Sequence, residues 1–237
     1  MSTEVHLQRP AFNLGVYSLS EAARLVKKPS DWVRRAVQGY EFSGRKGQRR
    51  SSPPLFRGQY APVGGIINLS FLDLIELVFV RDFLEHGVSW PVIRRAAEVA
   101  SEWFSATKHP FCLKRFATDG SSIFAIAESQ EGGGEQMVDV PHRQHVFAEI
   151  TTPFIKQLEY SSTGDLLRWF PMGMDKPVVL DPRLSFGAPI VAGFGVPTAT
   201  LYAALQAGES EDSIAEWYEL PQDAVHAALD YERSLAA

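Results

Sequence analysis

The stretch SLSEAARLVKKPSDWVRRAVQGY, residues 18–40, sets the reading of the whole chain. Ser18 and Glu21 have the S-x-x-E spacing of a capping box, in which each residue satisfies a free N–H group at a helix start. Leu19, Ala22, Ala23 and Val26 follow at helical spacing and predict one buried face. Pro29 disfavours helical backbone at Lys28, and Ser30 is placed to cap a second helix. Val33, Ala36, Val37 and Tyr40 form the apolar face of that second helix, while Asp31, Arg34, Arg35 and Gln38 repeat the spacing on a polar face. The expectation is helix, turn, helix.

Charge sharpens it. The 237-residue chain has a net charge of -5, yet residues 24–57 hold ten Lys/Arg against Asp31 and Glu41, a local excess of +8. Residues 177–237 hold only Arg183 and Arg233 against nine Asp/Glu, a local -7. Opposite charge in two segments points to two different partners. A single cysteine, Cys112, excludes an internal disulfide framework and fits a reducing cytoplasm. The sequence has no apolar run near the ~18 residues of a membrane span, and MSTEVHLQRP lacks the apolar stretch of a secretory signal.

Residues 41–66, rich in Gly, Ser, Pro and Arg, predict a long loop or a β-hairpin wing around PPLF (53–56) and QYAPVGGIIN (59–68). SFLDLIELVFVRDFLEHG, from the Ser70 cap to the Gly87 stop, is apolar around most of its circumference. Such a helix is buried between other elements or against a second subunit. Phe71, Leu74, Ile75, Val78 and Phe79 are therefore the dimerisation candidates. SWPVIRRAAEVASEWF repeats the helical pattern with Ser89 as cap. Residues 111–150 change period: Asp119-Gly120 lies between short β-prone runs and reads as a hairpin turn, and EGGGEQMVDV as another. VFAEITTPFIKQLEY reads as a helix with its start at Thr152 and Pro153, and FPMGMDKP as a linker. The last segment resolves into three short helices ending near Gly208, after Tyr218 and near the terminus, a homeodomain-like bundle.

The expected fold class is thus mainly α with a small β component, α+β. Its three parts are residues 12–105, with the helix-turn-helix and wing, a small α+β unit at 110–172, and the acidic three-helix unit at 177–237. A helix-turn-helix lays its second helix in the major groove while neighbouring cations hold phosphates. The DNA-binding candidates are Lys27, Lys28, Ser30, Arg34, Arg35, Gln38, Arg45, Lys46, Arg49 and Arg50. The last unit carries the opposite charge, so phosphates would be repelled by it; Asp223, His226, Ala227 and Asp230 are candidates for contacting a protein partner. Other chemistry is weakly supported. His142 and His145 lack a companion ligand set, EGGG lacks the lysine of a phosphate-binding loop, and Cys112 between Phe111 and Leu113 reads as a core thiol. No cofactor, metal or enzymatic activity is expected.

Two resemblances extend this. Asp181, Pro182, Gly187, Pro189, Ile190, Gly193, Val196 and Pro197, then Gly208, Ile214, Tyr218, Leu220, Val225, Ala228, Leu229 and Tyr231, resemble a small bacterial family of domains of uncharacterised function used as antitoxins. The likeness covers about a quarter of the chain, and the family's usual GTR is GFG here, at Gly193–Gly195, which removes an arginine. The whole layout is similar to the longer VapB-type antitoxins, and the first ~105 residues to the winged helix-turn-helix of MerR-type regulators. These resemblances imply a PIN-like ribonuclease toxin as partner and autorepression of a shared operon. A homodimer on operator double-stranded DNA is expected from the apolar helix over 70–86 and from the paired half-sites that such readers occupy. The alternative is a stand-alone MerR-like transcriptional regulator whose middle part, 111–170, senses a ligand.

Overall fold

A computed structural model describes residues 14–43, 48–56, 58–104, 107–130 and 140–236. In chain order the helices are α1 (Leu19–Val26), α2 (Ser30–Gln38), α3 (Phe71–Glu85), α4 (Trp90–Trp103), α5 (Phe116–Gln130), α6 (Val140–Ile155), α7 (Thr198–Gln206), α8 (Glu211–Trp217) and α9 (Gln222–Ala236). The strands are β1 (Tyr17–Ser18), β2 (Tyr40–Ser43), β3 (Arg49–Ser52), β4 (Asn68–Leu69), β5 (Leu158–Tyr160), β6 (Leu166–Trp169), β7 (Val178–Leu180) and β8 (Pro189–Val191). The fold is mainly helical with small antiparallel sheets, a mixed α+β class.

Helix α3 is the axis. Ser70 and Asp73 close a capping box at its start, and from Phe71 to Phe83 almost every side chain is buried. Its circumference is covered by the chain itself, with α1, α4 and α6 packed against it. Phe79 meets Phe154 edge-on at 4.7 Å, and Phe83 meets Phe124 at 4.5 Å. Phe111, Phe116 and Phe147 complete an aromatic cluster around them. This corrects one expectation: Phe71, Leu74, Ile75, Val78 and Phe79 are at most 2% exposed, so they form the interior of one chain rather than a surface for a second.

The hairpin expected around Asp119-Gly120 is instead helix α5. Phe116, Gly120, Ile123, Phe124 and Ala127 are its buried positions, a stripe at i, i+4, i+7, i+8 and i+11. Gly120 is there because α6 lies too close for a side chain: a Cβ would sit 2.2 Å from Phe147 Cζ. A glycine chosen for close approach carries the same letter as one chosen for a turn. Similarly, Thr152 and Pro153 fall in the last turn of α6 rather than at its start. The EGGG segment lies outside the described residues.

Strands β5, β6, β7 and β8 form one antiparallel sheet in that order, with Trp169 opposite Leu180. FPMGMDKP is therefore the connection between neighbouring strands of one sheet. Helices α7, α8 and α9 enclose a small core of their own around Leu201, Ile214, Val225 and Leu229. The other side of α9 joins the main core through Ala227 and Tyr231. Polar bonds tie the same region to the start of the chain. Val16 N donates to Phe186 O at 2.9 Å, Tyr17 Oη to Gly187 O at 2.7 Å, and Arg24 Nη1 to buried Glu232 at 2.7 Å. Glu232 also accepts from Thr198 Oγ1 at 2.5 Å.

Two carboxylates are enclosed with α3. Asp73 accepts from Ser70 N at 2.8 Å and from Gln59 N, and lies 2.6 Å from His109 Nε2. Glu76 accepts from Phe111 N at 3.4 Å and from the Cys112 thiol at 3.3 Å. Burial pushes the Glu76 carboxyl from 4.5 up to about 7, against the opposing pull of His109. Burial likewise pushes the Cys112 thiol well up, so it is an inert core group, as its apolar neighbours predicted.

Two predictions follow from these carboxylates. Between pH 4.5 and about 7 native Glu76 keeps a proton that the unfolded chain has lost, so its contribution to stability falls as pH rises through that window. Glu76→Gln removes this slope; in urea titrations from pH 5 to 8 it gains on the natural protein by on the order of 3 kcal/mol at the alkaline end. Glu232→Ala leaves Arg24 without its anion and costs about 2 kcal/mol, less than a fully buried pair because Arg24 reaches water. Thermal melts comparing it with Arg24→Met, which strands the buried Glu232 carboxylate and costs more, check the asymmetry.

Candidate nucleic-acid interface

Helix α1 begins with the capping box that the sequence specifies: Glu21 N donates to Ser18 Oγ at 3.2 Å and Ser18 N to Glu21 Oε2 at 2.8 Å. It ends where Lys27 adopts a left-handed backbone, φ 55°. After Pro29 the chain enters α2 at Ser30, which is the first helical residue rather than a side-chain cap. Val33 and Ala36 are buried as expected, and Trp32 meets Trp90 of α4 at 5.8 Å. Tyr40 does not continue the helix. Gly39 turns the chain with φ 76°, and Tyr40 opens strand β2.

Strands β2 and β3 form an antiparallel hairpin that starts directly after α2. Its base is fixed to the helices. Leu55 N donates to Ala36 O at 2.8 Å, and Arg94 of α4 donates to Ser52 Oγ at 2.9 Å and Pro53 O at 3.2 Å. Gly39 permits this contact, since a Cβ there would lie 2.3 Å from Ser52 O. The hairpin is formed by Tyr40–Ser43 and Arg49–Ser52, ahead of PPLF and QYAPVGGIIN where the sequence suggested it, and among the described residues of 53–66 only Val63 and Ile66 form a bridge.

The basic cluster of residues 24–57 divides in two. Arg24 pairs with Glu232, Lys28 pairs with Glu85 at 2.8 Å, and Lys27 Nζ donates to Ser234 Oγ at 3.4 Å. These three cations are engaged by the chain's own surface. Arg34, Arg35 and Gln38 are exposed on α2, Ser30 is exposed at its start, and Arg49 and Arg50 are exposed on β3. Arg45 and Lys46 lie outside the described residues. What α2 and the hairpin expose together includes two arginines from each element, beside Asp31 of α2 and Glu41 of β2.

The acidic surface is also partly consumed internally. Asp223 and His226 are exposed and Asp230 is half-buried, but Ala227 is buried at 7% exposure, a correction to its assignment as a contact residue. Its position on α9 faces the main core, a face that the alternation of Ala and charge did not separate from the outer one. His226 lies 3.3 Å from Glu211 and 3.2 Å from Asp230, and Arg233 bonds both carboxylates. Sequence reasoning missed the buried Asp73, Glu76, His109 and Glu232, because residue type alone does not show which charged side chains have interior partners. Helix α6 contains His142 and His145, whose side chains lie outside the description. Among the described residues no group of three or more His, Cys, Asp or Glu could hold a metal ion, and no helix is long and apolar enough to cross a membrane.

The model of a family described as a protein of unknown function, DUF433, matches residues 178–231, which span β7 to α9. A Mycobacterium tuberculosis protein named "Putative antitoxin VapB45" is 28% identical over 230 residues, covering 92% of this chain and 94% of the relative. A crystal structure of Rv2018 from Mycobacterium tuberculosis superposes with a TM-score of 0.66 at 22% identity, covering 90% of this chain and 96% of that one. At that identity the superposition shows a shared fold over nearly the full length of both chains.

Proposed function

We propose that this protein is the antitoxin of a toxin–antitoxin pair, a cytoplasmic repressor that binds operator DNA through α1, α2 and the β2–β3 hairpin. In this reading those elements are a winged helix-turn-helix of the MerR type, with α2 in the major groove and Arg34, Arg35 and Gln38 facing base edges and phosphates. Arg49 and Arg50 hold the flanking backbone. The C-terminal unit covers a ribonuclease toxin of the PIN-like class through its acidic face, which includes Asp223 and Glu216. The observation that carries the reading is the division of the basic cluster: buried Glu232 takes Arg24 and exposed Glu85 takes Lys28, while the arginines on α2 and β3 remain exposed. A charged surface that the fold leaves displayed beside an exposed hairpin fits an external anion. The full-length similarity to a protein named an antitoxin supports the pairing with a toxin. Two copies on paired half-sites would meet through a surface other than α3.

One observation favours a second reading, a regulator that senses a small molecule. A cavity of about 450 Å³ opens between α1, α3, α6, the β6 end and α9, lined by Leu25, Arg81, Phe154, Trp169, Met172 and Tyr231. A ligand there would touch the elements that carry both surfaces.

Removing residues 177–237 is no test, because Val178, Leu180 and Tyr231 belong to the main core. Surface substitutions are. Arg34→Ala with Arg35→Ala should weaken binding to DNA from the region upstream of the coding sequence by about 100-fold and lower the salt slope by about 2. Fluorescence anisotropy at matched salt measures both, and an unchanged titration overturns the DNA assignment. Asp223→Lys with Glu216→Lys should leave that titration intact and weaken co-purification with the product of the adjacent gene.

A further inference from the structure

Strand β2 exposes all four of its residues, and two of them are aromatic. Tyr40 and Phe42 alternate onto the same face of the hairpin, with ring centroids 5.7 Å apart and the rings tilted by 44°. They remain 38% and 42% exposed. Ser52 stands directly opposite Tyr40, and Arg50 directly opposite Phe42, so these four residues share the face. Arg35 of α2 reaches the same place, its guanidinium carbon 5.6 Å from the Tyr40 ring centre. The other face carries Glu41, Ser43, Arg49 and Ser51 and has no ring.

A two-stranded hairpin gains little from presenting two large rings to water. Here Arg35 lies over the Tyr40 ring, Arg50 is the cross-strand partner of Phe42, and the base of the hairpin is fixed by the close approach at Gly39 and by the bonds Leu55 N to Ala36 O and Arg94 to Ser52 Oγ. Flat apolar surface flanked by guanidinium groups fits a ligand that offers stacked rings beside phosphates. Proteins that use apolar side chains on DNA insert them between base steps from the minor groove, and pyrimidine–purine steps open most easily.

We propose that Tyr40 and Phe42 form a wedge that enters the minor groove beside the segment read by α2 and partly unstacks one base step. Arg35 and Arg50 hold the phosphates on either side of the opened step. The site would add a preference for flexible steps at a position whose bases α2 does not read. This inference rests on the assignment of α2 as a DNA-reading helix, and the two fail differently.

The test uses the full chain and a set of duplexes from the region upstream of its coding sequence, each with 2-aminopurine at one successive position. Bound to the natural protein, one or two adjacent positions should brighten several-fold, and end-to-end energy transfer should report a bend. Tyr40→Ala with Phe42→Ala should abolish both signals while weakening binding only about tenfold, the lower range for lost base stacking. Tyr40→Phe with Phe42→Tyr, which keeps two rings, should restore them. A saturated complex in which no position brightens overturns the wedge but leaves the α2 assignment standing. So does a signal unchanged in the double alanine variant. Sedimentation showing that the rings are instead buried in a dimer of this chain, lost in that variant, also overturns it. If the natural protein binds none of the duplexes, both inferences fall together.

Discussion

Because Phe71–Glu85 is apolar around its circumference, water has to be kept from all its sides at once, and that requirement places the rest of the molecule. Covering one helix on every side takes more surface than a helical hairpin offers. The chain meets it with α1 on one flank, α4 and α6 on others, and the aromatic side chains of α5 beyond them. Burying a phenylalanine contributes roughly 2–3 kcal/mol, so the cluster around Phe79 and Phe83 dominates any alternative arrangement of these helices. The same closure imposes a cost. Asp73 and Glu76 are taken inside with the helix, and an unpaired buried carboxylate costs several kcal/mol. Their partners come from residues 59 and 109–112, so the connections on both sides of α3 and α4 are pinned by polar bonds rather than left as free loops.

The surface inherits its shape from that core. Helix α1 packs on α3, and α2 follows after a turn of three residues. The α2–hairpin junction is then fixed through Leu55, Arg94 and the close approach at Gly39. Arg34 and Arg35 point to solvent because Val33 and Ala36 have to point inward. Helical periodicity, once one face is committed to the core, leaves no other direction for them. The hairpin, by contrast, has no buried face. Its composition is not explained by folding, so the aromatic pair on it is understood through what it meets outside.

Local signals in the sequence were readable where one turn or one face decides the outcome. The capping box at Ser18 and Glu21, the apolar face of α1 and the stop at Gly208 all stand where the spacing puts them. The mainly α class with a small β component stands too. Failures came where a distant residue decides. Gly120 is a helix residue because Phe147 presses on it, and Ala227 is buried because α9 has core on two sides. Helix α3 reads equally as an interior helix or a dimer surface because nothing in its own sequence says that α1, α4 and α6 will cover it. The basic cluster was legible as a cluster. Its division between Glu232, Glu85 and open solvent needed the coordinates, since Arg24 and its partner stand 208 positions apart.

That division also bears on how the two charged surfaces relate. Glu232 is held between Thr198 at the start of α7 and Arg24 in the last turn of α1, and it has almost no access to water. A carboxylate so placed is stable only while both donors stay. Moving α9 outward would strand an anion in apolar surroundings, and moving α1 would do the same from the other side. The cationic elements and the acidic bundle are therefore braced against each other by a bond that neither can release cheaply. A partner on the outer face of α8 and α9 would press on helices tied through Glu232 to α1, the helix that leads into α2 and the hairpin.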